Sequence, residues 1–114
     1  MPTYLLGTDN GCTVAKAALF TLDGREVAVA SRKVPALTPH PGWHEVPMAH
    51  AWQATVESIR EVLAKADVRP GDIACLAPTG HGNGLYLVDE RGAPVRNGIL
   101  STDSRARDYV DRWQ

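Results

Sequence analysis

The stretch Tyr4–Leu22, YLLGTDNGCTVAKAALFTL, decides how this chain is read. It reads as a strand, a tight polar turn and a second strand. The first strand delivers Asp9 to its C-terminal end. The turn, Asn10-Gly11-Cys12-Thr13, holds small or polar side chains and one glycine, and the second strand, from Val14, carries one charge, Lys16. An acid, a bare backbone, a hydroxyl and a cation this close together can hold a phosphate and its metal ion. Backbone N–H groups of such a turn form an anion-binding concavity. Gly11 would let a phosphate approach the backbone, Thr13 would donate to a phosphate oxygen, and Lys16 would supply a flexible point charge. Asp9 would hold Mg²⁺ through its waters. The same residues also describe an ordinary hairpin turn with a solvated Asp. They form neither a Walker A loop nor a GxGxxG, so the local pattern leaves both readings open.

Composition narrows the field. With 114 residues the chain is one domain at most, with enough length for a modest core. A net charge of −1 gives no electrostatic footprint for nucleic acid or an anionic membrane. No apolar run approaches the ~20 residues that span a bilayer, and Met-Pro-Thr-Tyr is no secretory start. Two distant cysteines, Cys12 and Cys75, are not a disulfide framework, so a cytoplasmic location is expected. The last residues, from Ser104 to Gln114, look like a helix that has just begun, with Tyr109, Val110 and Trp113 at helical spacing and no C-terminal cap. A longer protein is therefore expected.

The remaining punctuation sets the element order. Residues 3–9, 14–22 and 25–34 read as strands, the last two joined at Asp23-Gly24, a hairpin signal. Residues 35–47, with four prolines, read as a loop in which Trp43 pins the chain to the body. Residues 48–66 read as a helix with Trp52, Val56, Ile59, Leu63 and Ala66 on its apolar stripe and Glu61 to Lys65 as an i,i+4 pair. Residues 72–78 suit a central strand, parallel to its partner. A glycine loop, Thr79–Gly84, follows, then a strand over 85–89 turned at Glu90-Arg91-Gly92, and residues 99–103 run into the final helix. Three antiparallel strands, a helix and a parallel strand open the ribonuclease H-like fold that actin-like ATPases share. That predicts an α/β chain whose mixed sheet begins with a three-stranded meander. Fold alone does not give function.

Two further segments could carry chemistry. Gly80–Gly84 sits at the C-terminal end of a strand, where open α/β sheets bind ligands. His81 and Asn83 could bond sugar hydroxyls or a metal, or simply be solvated in a flexible turn. Asp103 with Arg105 could be a site pair, or a helix N-cap and a surface cation. Thr102 and Ser104 are the other N-cap candidates. His40, His44 and His50 match no zinc spacing, and Trp43 and Trp52 read as packing residues.

Together these segments resemble the N-terminal part of FGGY-type carbohydrate kinases, the group containing glycerol kinase and xylulokinase. Gly7-Thr-Asp9-Asn-Gly11-Cys-Thr13-Val-Ala-Lys16 resembles the family's Asp-x-Gly-Thr-Thr/Ser phosphate turn with its following Lys or Arg. Pro41-Gly42-Trp43-His-Glu45 resembles its Pro-Gly-Trp-x-Glu loop, followed by a Trp-bearing helix. Gly80–Gly84 with Leu87-Val-Asp89 resembles its sugar loop and next strand, and Ile99-Leu-Ser-Thr-Asp103-Ser-Arg105 its Ile-Leu-Trp-x-Asp-x-Arg stretch. The wording is most similar to the L-xylulose/3-keto-L-gulonate kinase branch, with erythritol kinases nearby. Cys12 stands where the family has Thr, and Ser101 where it has Trp. Gly82 and Asn83 stand where xylulokinases present a Met-His pair to the sugar.

The resemblance implies ATP-dependent phosphorylation of a sugar or polyol hydroxyl, with residues 1–114 forming the N-terminal part of the first of two domains. It implies that Asp9, Gly11, Cys12, Thr13 and Lys16 meet ATP and Mg²⁺, with Asp9 toward the metal, and that His81, Gly82, Asn83 and Asp103 meet the substrate. The general base and adenine site are expected beyond Gln114. Two rivals remain. One is a non-catalytic sugar-binding or assembly module. The other is a metal-dependent nuclease using Asp9 with Glu57 or Glu61. A half-sheet without its later strands leaves an edge and an apolar face open, so a homodimer is one outcome the chain allows.

Overall fold

A computed structural model describes residues 3–114. Strands β1 (Tyr4–Asn10), β2 (Val14–Thr21) and β3 (Glu26–Lys33) form the expected meander. The β2–β3 turn is a three-residue loop, Leu22–Gly24, in which Gly24 takes the left-handed conformation (φ +88°) that a side chain would resist. Helix α1 (Met48–Ala66) crosses back, and β5 (Ile73–Gly80) lies parallel to β1. The sheet order is β3-β2-β1-β5. The 35–47 loop is not wholly irregular: Glu45–Val46 forms a short strand, β4, paired antiparallel with β6 (Gly98–Ile99).

Alternation along β1 and β2 gives the sheet two unlike faces. Leu6, Ala17, Leu19 and Ala30 face α1 and pack with Val62 and Val68 in one core cluster. Ala15, Val34, Val46, Ala54 and Leu100 form a second cluster nearer the turn. The expected stripe supplies only part of the helix face that closes them: Ile59, Leu63 and Ala66 pack against the first cluster. Ala54, Thr55, Ser58 and Val62 are the helix's buried residues, while Trp52 is 70 % exposed. Small side chains let α1 sit close on the sheet. Ser58 and Thr55 avoid a polar penalty by donating to Ala54 O and Ala51 O within the helix. Val56, Ile59, Leu63 and Ala66 flank this ridge half-buried. Glu61 bonds Lys65 at 2.7 Å, as expected, and also Arg32 of β3.

The helix ends at Asp67 in the left-handed conformation (φ 51°), with Val68 N–H bonded to Leu63 O at 3.0 Å and the Val68 side chain tucked into the core. β5 lies at the edge of the described four-stranded sheet, and residues 74–80 are exposed in this chain, with α1 lying over β2 and β3. Residues 85–89 form isolated bridges rather than a strand: Leu85 pairs with Ile99 and Val88 with Pro94. Helix α2 (Arg107–Trp113) starts later than expected, after Ala106, so none of Thr102, Asp103 or Ser104 caps it.

Candidate functional site

The register of β1 places Asp9 opposite Lys16 of β2 and Thr79 of β5. All three side chains share the face away from α1. They border a hollow of about 210 Å³ with Gly7, Ala18 and Ala77, whose small size keeps it open. Asp9 and Lys16 are exposed, and neither makes an ion pair among the described residues. Thr13, also exposed, stands at the turn. Its carbonyl accepts from Val34 N–H at 2.7 Å, which ties the turn to the end of β3.

The turn bears on two expectations. Gly11 N–H donates to Val14 O at 2.9 Å, and a Cβ at Gly11 would lie 2.9 Å from that same oxygen. The absent side chain therefore lets the turn close. The Gly11 N–H is spent, which leaves those of Cys12 and Thr13 for an anion. The Cys12 side chain turns the other way. It packs against the second core cluster, with Sγ 3.7 Å from Ser101 Oγ. Only its backbone can meet a ligand on the Asp9 face.

The sugar-loop candidates also divide. His81 has both ring nitrogens engaged, Nδ1 with Asn10 O at 2.9 Å and Nε2 with the Tyr86 hydroxyl. Gly82 and Asn83 are exposed, and a Cβ on Gly82 would meet nothing within 4 Å. Asn83 takes a left-handed φ of 63°, a conformation its short amide tolerates.

Asp103 does not cap α2. Its side chain is 3 % exposed and its carboxylate accepts four hydrogen bonds. Oδ1 takes Arg105 N–H and Nε, both at 2.9 Å; Oδ2 takes His44 N–H at 2.7 Å and an Arg105 Nη at 2.8 Å. That fills the acceptor capacity of a carboxylate. Arg105 also bonds Glu45, 7 % exposed, which is held as well by Arg96 and Asn97. The Arg105 guanidinium stacks 3.9 Å from the Trp43 ring centroid, so Trp43 does pin its loop. The Arg105 hydrogen bonds hold the Asp103 carboxyl well below the usual carboxylate range. Those of Arg105 and then Asn97 lower Glu45 too, in each case against the effect of burial. This latch fastens the segment carrying Ser101 onto the Gly42–Val46 loop. Gly42, with φ +78°, has no room for a Cβ, which would lie 2.4 Å from Ser104 Oγ.

Across the sheet, on the α1 side, lies a separate cleft of about 380 Å³ bordered by Cys12, Trp52, Thr55, His81, Tyr86 and Leu100. Trp52 overhangs it instead of packing in the core. Glu57 and Glu61 bind Arg32 on this same side, with the sheet between them and Asp9. That removes the two-metal arrangement a nuclease needs. Among the described residues no helix is long and apolar enough to cross a membrane. Reading the sequence missed Asn10, Tyr86, Arg96 and Asn97. The glycines that Tyr86 rests on, Gly84 and Gly98, were the only signal of its placement.

Residues 4–114 match the FGGY family of carbohydrate kinases, N-terminal domain. The chain is 40 % identical over 114 residues to L-xylulose/3-keto-L-gulonate kinase of Escherichia coli, covering all of this chain and 23 % of that one. It is 34 % identical over 105 residues to glycerol kinase of Variovorax paradoxus, covering 91 % of this chain and 21 % of that one. The crystal structure of xylulose kinase from Rhodospirillum rubrum superposes with a TM-score of 0.85 at 33 % identity, over 96 % of this chain and 22 % of that one. The chain thus spans about a quarter of the length of its relatives and has the opening of their actin-like ATPase fold. Residues 4–114 match the family's N-terminal domain over nearly the whole chain, and the chain belongs to the FGGY family of carbohydrate kinases.

Proposed function

We propose that this chain supplies the nucleotide-phosphate turn and part of the acceptor loop to an ATP-dependent kinase acting on a sugar or polyol hydroxyl. One observation carries this: Asp9, Lys16 and Thr79 converge on an open face at the ends of β1 and β5, beside a turn with two unspent N–H groups. The residues fit a magnesium nucleotide. Asp9 is an exposed carboxylate suited to a hydrated Mg²⁺, and Lys16 with the Cys12 and Thr13 N–H groups suits phosphate oxygens. Bound there, the magnesium nucleotide supplies the phosphoryl group. Transfer then depends mostly on positioning and charge stabilisation. Lys16 would present its own positive charge to the charge that builds, Thr13 would donate its hydroxyl to a phosphate oxygen, and Asp9 would hold the hydrated metal. Gly82 and Asn83 are the acceptor-side contacts in this reading, and the likeness to L-xylulose/3-keto-L-gulonate kinase favours a ketose or a sugar acid.

The general base lies outside residues 1–114 in this reading. The isolated chain therefore binds Mg–ATP weakly and does not turn it over. Titrating Mg–ATP into the ¹⁵N-labelled chain should shift the Cys12 and Thr13 amides, and Lys16→Ala should abolish those shifts. In a full-length kinase carrying this segment, Asp9→Ala should lower kcat by at least about 100-fold. Sugar-dependent ATP hydrolysis by residues 1–114 alone, lost in Asp9→Ala, would overturn the placement of the base.

A further inference from the structure

We infer that His81, held by Tyr86, is a positioning residue that fixes the acceptor loop to the phosphate turn, and not a ligand for the substrate. This rests on the kinase reading for what the loop and turn are for. The geometry itself does not. Asn10 stands between Asp9 and Gly11 and is gripped from two sides. Its carbonyl accepts from His81 N–H at 3.3 Å and meets His81 Nδ1 at 2.9 Å. Its side-chain amide also meets Thr55 Oγ1 of α1, 2.7 Å away. The backbone of the turn is thus clamped between the glycine loop and the helix.

Proton accounting fixes the rest. A carbonyl only accepts, so Nδ1 must carry the hydrogen. In a neutral imidazole Nε2 is then the acceptor, and the Tyr86 hydroxyl must donate to it. The Tyr86 ring is itself held in place by missing side chains. A Cβ on Gly84 would come within 2.6 Å of the ring, and one on Gly98 within 2.4 Å. Gly98 belongs to β6, so the ring rests on an element outside the loop it orients. Tyr86 thereby sets one tautomer and one ring orientation of His81, and His81 sets the distance from Asn10 to Gly82 and Asn83. Tyr86 and His81 act through Asn10 and touch no reacting atom.

The test needs neither nucleotide nor sugar, so it can fail independently of the kinase reading. In the 114-residue chain with ¹⁵N-labelled histidine, at a pH of about 8 where imidazoles are neutral, His81 should show a protonated Nδ1 and an unprotonated Nε2. Tyr86→Phe should convert this to a mixture of tautomers. The same change should speed amide exchange at His81 and at Gly11 by up to about tenfold, the worth of one hydrogen bond. Gly98→Ala, which displaces the ring without touching its hydroxyl, should reproduce both effects. Asn83→Gly, which keeps the left-handed backbone of that position unstrained, should move neither. An Nε2-protonated His81 in the unmodified chain overturns the inference outright, and that reading survives even if a variant fails to fold. Tautomer change without faster exchange at Gly11 would confine Tyr86 to a local role and overturn the coupling to the turn.

Discussion

Asp9, near the end of β1, and Asp103, in the segment before α2, are aspartates in opposite surroundings. Asp9 is exposed, on the uncovered face of the sheet, with no ion pair among the described residues. Asp103 is almost wholly buried, with four protein donors on its carboxylate. An acid left open to solvent retains its lone pairs for a metal's waters. An acid whose lone pairs are all taken can only hold protein to protein. The difference lies in the contacts made: Asp9 faces Lys16 and Thr79 across a hollow kept open by Gly7, Ala18 and Ala77 and pairs with neither, while Arg105 and the His44 N–H converge on Asp103.

The largest effect should come from reversing that assignment. Asp103→Ala should destabilise the chain by roughly 3 kcal/mol, because it leaves a partner charge and a backbone donor without their acceptor. Asp9→Ala should stay within about 0.5 kcal/mol of the unmodified chain. Urea unfolding of the two variants side by side decides it, and equal losses would mean that Asp9 is structural too. A smaller effect should follow pH. Asp103 and Glu45 are both held below their ordinary range, so the folded chain binds fewer protons than the unfolded one near pH 4. Their stabilisation is complete above the unfolded carboxylate values, about 4, and drains away as pH falls through the depressed ones. Urea midpoints should be level from pH 7 to about 5 and drop below 4, and Glu45→Gln should flatten the drop. An equally steep drop in that variant would assign the titration to Asp103 and to the other lowered carboxylates, Asp23, Glu61 and Asp72, and not to Glu45.

Much of this was legible before any coordinates. The meander, α1 and the parallel β5 follow from alternation, glycine punctuation and helical spacing, all local signals. The convergence of Asp9 and Lys16 was legible too, since a tight turn between two strands dictates their register. What could not be read was direction and partnership across long separations. Trp52, Val56, Ile59 and Leu63 make an apolar stripe, yet α1 turns its small residues inward, because close packing on Ala15, Ala17 and Ala30 favours Ala54 and Ser58 over bulk. The latch joins Glu45 to residues 51 to 60 positions away, and the His81–Asn10 bond spans 71. No periodicity reports such pairs. His81 and Asp103 therefore looked available when each already had its protein partners.

Cys12 offers the smallest and sharpest contrast, since it sits in the site by sequence and in the core by structure. If its side chain faced the phosphate, Cys12→Thr would restore the hydroxyl the family usually has there and tighten Mg–ATP binding. In the structure that side chain packs with Ala15, Val34, Val46, Ala54 and Leu100, beside Ser101 Oγ. The added hydroxyl would enter an apolar cluster with one nearby oxygen as partner, where an incompletely bonded hydroxyl costs about 1 kcal/mol or more. The new bond to Ser101 should recover part of that. Cys12→Thr is therefore expected to lower stability by less than about 1 kcal/mol and to leave Mg–ATP affinity unchanged. Thr13→Ala, one residue on and facing solvent, should do the reverse, with stability unchanged and affinity reduced several-fold. Measuring both by urea melts and by amide shifts on Mg–ATP titration separates the two sides of the turn. A tighter nucleotide in Cys12→Thr would mean that the turn rotates when the ligand arrives.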